Sequence, residues 1–76
     1  MRPNFDQLNA FLTLKPLPGI AHEHNTNVIV ISGEHTGDTG SIISVETLGD
    51  DPAYLVELDS NIDALILQHF LQAFKT

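Results

Sequence analysis

Apolar residues recur along this chain in two different rhythms. Phe5, Leu8, Phe11 and Leu12 repeat at helical spacing, and Asn4, a residue suited to capping, stands immediately before them. The pattern predicts a short N-terminal helix with Asp6 in its first turn, where the helix dipole favours an anion. Pro16, Pro18 and Gly19 are expected to stop this helix and to form a stiff connector. A polar loop through His22, Glu23, His24, Asn25 and Thr26 follows. From Asn27 onward the rhythm is that of strands. Val28 to Ile31 is a β-branched run, Ser41 to Glu46 pairs with it, Ala53 to Leu58 is a third strand and Ile62 to Leu67 a fourth. Gly49-Asp50-Asp51-Pro52 and Asp59-Ser60-Asn61 have the composition of tight turns. Gln68 to Leu71 reads as one helical turn and Gln72 to Phe74 as a short fifth strand. Helix is the competing reading there, because Leu67, Phe70, Leu71 and Phe74 also fit its period.

Several strands carry more apolar side chains than one buried face can use. Val28-Ile29-Val30-Ile31, Tyr54-Leu55-Val56 and Ala64-Leu65-Ile66-Leu67 are apolar on both faces, whereas a small barrel points only one face of each strand inward. One short helix can cover one strand pair. The remainder predicts self-association, most simply as a symmetric dimer, with Phe5, Leu8, Phe11, Leu12, Ile29 and Ile31 as interface candidates.

Between the first two strands, Gly33, Gly37 and Gly40 are spaced four and three apart. Glycine suits points where the chain takes positive φ or where strands approach closely. This strand–loop–strand pattern resembles the KOW motif of small SH3-like barrels in ribosomal and transcription-associated proteins. The resemblance covers roughly Asn27 to Phe74. It implies a mainly β fold: a small SH3-like barrel of about five strands, here with a short N-terminal helix. Residues 1–26 would form the helix and the Pro- and His-containing connector, and residues 27–76 the barrel, within one structural domain. The chain also resembles the small stand-alone proteins carried by bacterial mobile elements such as integron gene cassettes.

Charge separates this chain from the usual partner of that family. The net charge is −7 over 76 residues, and Arg2, Lys15 and Lys75 are the only permanent side-chain cations. Nucleic-acid binding draws most of its free energy from cations that displace counterions from phosphate. A body with no Lys or Arg between Lys15 and Lys75 cannot supply that energy, so neither direct nucleic-acid binding nor docking to an anionic membrane is expected. The absence of Cys excludes disulfides and thiolate metal sites. No run reaches the roughly 18 apolar residues of a membrane span, and the start reads as no signal peptide. A cytoplasmic protein is expected.

The chemistry-bearing residues form weak constellations. His22 and His24, two apart, could present imidazoles to one metal with His35 as a third ligand. A polar loop needs no such reason, and no metal or other cofactor is expected. Glu34, His35, Thr36, Asp38 and Thr39 gather a base, hydroxyls and carboxylates around the glycine loop, but so short a chain has little material for a water-excluding pocket. No enzymatic activity is expected. Glu34, His35, Thr36, Asp38, Asp50 and Asp51 are instead candidates for a partner-binding acidic surface. The expectation is a self-associating protein–protein interaction module that meets a basic partner. Its alternatives are a KOW-type accessory of a ribosomal or transcription complex, and an acidic immunity or inhibitor protein against a basic toxin.

Overall fold

A computed structural model describes residues 1–74; Lys75 and Thr76, the last two positions of the expected barrel, lie outside the described residues. Helix α1 spans Phe5–Leu12 and the strands are β1 (Asn27–Val30), β2 (Thr39–Thr47), β3 (Ala53–Leu58), β4 (Asp63–Leu67) and β5 (Leu71–Ala73). A 3-10 turn, Gln68–Phe70, joins the last two.

The N-terminus of α1 is closed by a capping box. Asn4 Oδ1 accepts from the Gln7 amide at 2.8 Å while Gln7 Oε1 accepts from the Asn4 amide at 2.9 Å. Its C-terminus corrects the expectation placed on the prolines. The helix ends at Leu12, before Pro16, because Leu14 takes the left-handed conformation at φ 62. The amides of Leu14 and Lys15 then fold back onto the carbonyls of Phe11 (3.2 Å) and Ala10 (2.8 Å), satisfying the orphan acceptors of the last turn. A leucine in this conformation costs about 1 kcal/mol. The signal was invisible because sequence rules expect Gly there.

The strands form one antiparallel sheet in the order β4-β3-β2-β1-β5. The meander β2–β4 accounts for two of the four strand pairings. The pairing of Val30 with Leu71 and of Val28 with Ala73 brings the last strand beside the first, which decides the C-terminal segment in favour of strand. β2 is longer than expected and carries register shifts between Ile42 and Ser44 and between Val45 and Thr47. Each irregularity bends the strand and changes its phase. Ile42 and Val45, three apart, are therefore both buried.

Val28, Val30, Ile42, Val45, Tyr54, Val56, Leu58, Ile66 and Leu71 fill the space inside the curled sheet, and Phe11 closes it from the helix. Tyr54 lies at the centre, with its ring 6.2 Å from that of Phe11 and 5.6 Å from that of His22. Phe11 therefore departs from its place among the interface candidates: it is 2% exposed and belongs to the chain's own core.

Candidate functional site

The glycine loop is a hairpin connection held by its own polar groups. Val30 donates to the Asp38 carbonyl at 2.9 Å and accepts from Gly37 at 2.7 Å, closing the base. The Thr36 hydroxyl donates to the Gly33 carbonyl at 2.6 Å. Asp38 accepts from the Thr39 amide (3.0 Å) and from the Ser60 hydroxyl (2.7 Å), so the loop is tied to the β3–β4 turn. Thr39 adds a hydrogen bond to the Asp59 carboxylate. Thr36 and Asp38 are thus engaged in shaping turns, while Glu34 is left exposed and His35 half-buried.

The other two acidic candidates lie on a separate connection, between β2 and β3. Asp50 is exposed. Asp51 is bound to the 3-10 turn, accepting from the His69 amide at 3.1 Å and pairing with the His69 ring. The candidate surface residues therefore lie on two different connections, with the 3-10 turn between them: His69 binds Asp51, and its neighbour Phe70 lines a groove with Glu34 and His35.

The histidine pair is separated by what each ring packs against. His24 Nδ1 lies 2.7 Å from the Ile43 carbonyl, with its ring edge-on to Phe11 at 6.2 Å. His22 is buried against Tyr54. Among the described residues no three His, Asp or Glu side chains lie close enough to hold a metal ion. The connector carrying both is strapped to the sheet by Gln68, a residue whose only sequence signal is its place in a turn. Its Oε1 accepts from Ala21 at 3.0 Å and from the Tyr54 hydroxyl, and its Nε2 donates to the Gly19 carbonyl at 3.2 Å. Burial raises the Tyr54 pKa, keeping that hydroxyl a donor.

Burial also lowers the His22 pKa below 6.5, opposed in part by a hydrogen bond with the Leu71 main chain. The unfolded chain then binds more protons than the folded one between the depressed pKa and 6.5, and stability falls as pH drops through that window. Urea unfolding at pH 7.5 and pH 5 is expected to show a lower midpoint at the acidic pH, with a smaller difference in His22→Gln. Parallel pH profiles for the two proteins would refute a role for His22.

An apolar groove lies beside β4. It measures about 260 Å³ and is lined by Leu65, Ile66 and Leu67 on one wall and Val30, Ser32, Glu34 and His35 on the other, with Phe70 between them. It is smaller than the roughly 300–1,000 Å³ of typical small-molecule sites. Leu65 is 64% exposed, and Ile31, Ile62 and Leu67 are exposed as well. Of the remaining interface candidates, Phe5, Leu12 and Ile31 are exposed, and Leu8 and Ile29 are half-buried. Leu8 and Leu12 line a different hollow, of about 220 Å³, between α1 and β2.

Sheet order, the 3-10 turn before the last strand and the core within one curled sheet define a small, mainly β protein: five antiparallel strands in a single sheet with one short N-terminal helix. Hydrogen bonding does not close the sheet, since β4 and β5 each have one sheet neighbour. Compared with protein-family models, curated proteins and solved structures, the chain matches none. Among the described residues no helix is long and apolar enough to cross a membrane.

Proposed function

We propose that this protein is a non-enzymatic, cytoplasmic protein–protein interaction module that associates with itself and presents acidic loops to a basic partner. The observation that carries the reading is the apolar surface left outside the barrel. Ile31 on the glycine-loop side and Leu65 and Leu67 on β4 stay exposed in a single chain, while α1 packs on β2. Exposed apolar area rimmed by polar residues marks interaction surfaces. A net charge of −7 favours encounter with a basic protein and keeps the free chain in solution.

The KOW-like glycine loop supports a second reading, as an accessory of a ribosomal or transcription complex. Contacts there would run through protein subunits, because residues 16–74 contain no Lys or Arg. Sedimentation at micromolar concentration tests the first reading. The expected species has twice the 8.3 kDa mass of the chain, and Ile31→Asp shifts it to the monomer. A single 8.3 kDa species at all concentrations would remove self-association.

A further inference from the structure

The free edge of β4 and the groove beside it form an open seam in the barrel. We propose that this seam receives an extended apolar segment of a partner protein, flanked by Lys or Arg, as an added strand. The proposal rests on the interaction-module reading and specifies its partner.

Backbone parity supplies the first argument. Leu58 donates to the Ile62 carbonyl at 2.9 Å and Gln68 donates to the Pro52 carbonyl at 2.8 Å, one bond at each end of the β3–β4 ladder. Hydrogen-bonded pairs alternate along an antiparallel ladder. The even positions Ala64 and Ile66 therefore face their backbone groups toward β3, and Asp63, Leu65 and Leu67 face theirs toward the unpaired edge. Natural edges are commonly blunted by Lys, Pro, a bulge or a covering segment. β4 has no Lys or Pro, and its register with β3 runs without a shift from Asp63 to Leu67. Strand addition to such an edge is a recurring mode of peptide recognition.

The side chains around the edge define the ligand. Val30, Ile66 and Phe70 line an apolar recess suited to inward-facing aliphatic side chains, and Leu65 and Leu67 flank it. The charges are acidic. Glu34 stands on the loop wall, and at the head of β4 Asp63 lies directly opposite Glu57. By the same parity this is a non-hydrogen-bonded pair, in which opposed side chains come closest. Like charges placed this way are unfavourable. Both carboxylates are exposed, and neither has a salt-bridge partner among the described residues. A cationic side chain on an added strand would relieve that repulsion. A second copy of this chain would bring further carboxylates instead.

The test uses the full chain and a fluorescent peptide of alternating Val and Thr with Lys at both ends. Anisotropy at low salt is expected to show saturable binding. N-methylation of the edge-facing amides is expected to weaken it at least tenfold, and exchanging the Lys residues for Glu by a similar factor. Leu65→Pro, which removes an outward N–H and leaves the β3 ladder bonds in place, is expected to weaken binding at least tenfold. N-methylation of the peptide provides the same test without altering the protein. Binding indifferent to N-methylation and to Leu65→Pro would overturn strand addition while leaving an acidic docking surface intact. Absence of peptide binding, with a dimer that Leu65→Pro dissociates, would overturn it in favour of a second copy in the seam. Absence of both binding and a dimer would remove the interaction-module reading as well.

Discussion

Phe11→Ala is expected to lower the free energy of unfolding by about 3–5 kcal/mol. For a domain of 76 residues, with a total stability of about 4–11 kcal/mol, that is a large part of the whole. Phe11 is the buried residue of α1 and touches the rings of Tyr54 and His24, each at 6.2 Å between centroids. An eight-residue helix has little stability of its own, so its attachment depends on this anchor together with the capping box. Removing the ring leaves a cavity beside Tyr54 and frees the helix from β2. Phe5→Ala, at a residue 83% exposed, is expected to change stability by less than about 0.5 kcal/mol. Urea denaturation followed by circular dichroism separates the two. If Phe11→Ala cost under about 1 kcal/mol and instead dissolved an oligomer, Phe11 would be an interface residue after all.

Gly40→Ala is the second large effect, at about 3 kcal/mol. A methyl group at this position would lie 2.4 Å from the Glu57 carbonyl oxygen and 3.0 Å from the Leu58 Cα. Both are backbone atoms of the neighbouring strand, so relief requires β2 and β3 to part along their longest shared ladder. At roughly 4–8 °C per kcal/mol, the midpoint should fall by on the order of 15 °C. Gly37 makes the comparison informative. Nothing lies within 4 Å of a Cβ added there, and its φ of +92 is the sole obstacle. Gly37→Ala is therefore expected to cost about 1 kcal/mol. Equal melting points for the two variants would contradict the close approach of β2 and β3.

The same glycines show how far the sequence could be read. Their spacing marks the connection between β1 and β2, and the strands flanking it are where the periodicity places them. Their individual reasons differ: Gly37 supplies a left-handed backbone and Gly40 a close contact, a distinction that depends on the neighbouring strand. The start of α1 was legible because Asn4 and Gln7 act locally. Its end was not, because Leu14 adopts a conformation its side chain disfavours. The alternation in β2 is obscured by two register shifts, whose positions depend on how the strand must curve over the core.

The candidate site was legible in composition and hidden in geometry. The run Ala64-Leu65-Ile66-Leu67 announces excess apolar surface, but only the register with β3 shows that Ile66 points inward and that Leu65 and Leu67 remain outside. Glu34 and His35 were named from the loop alone, and their place on the wall of a groove depends on Phe70 and β4, some thirty residues away. Phe11 was assigned to the surface because helical period identifies an apolar stripe without saying which of its members the core takes.

The neighbour relation between β1 and β5 also sets an order for the birth of the molecule. β2, β3 and β4 can pair as soon as each turn between them forms, since every partner is the next strand along. β1 acquires its second neighbour only when Leu71–Ala73 is available, more than forty residues after Val30 has been made. On a chain emerging from its N-terminus, Val28 and Val30 must wait with one flank unpaired until Leu71–Ala73 has been made. Closing a loop of that length carries an entropic cost that adjacent hairpins avoid. The fifth strand is thus the one that completes the pairing of the first, and folding speed depends on a contact between strands far apart in sequence.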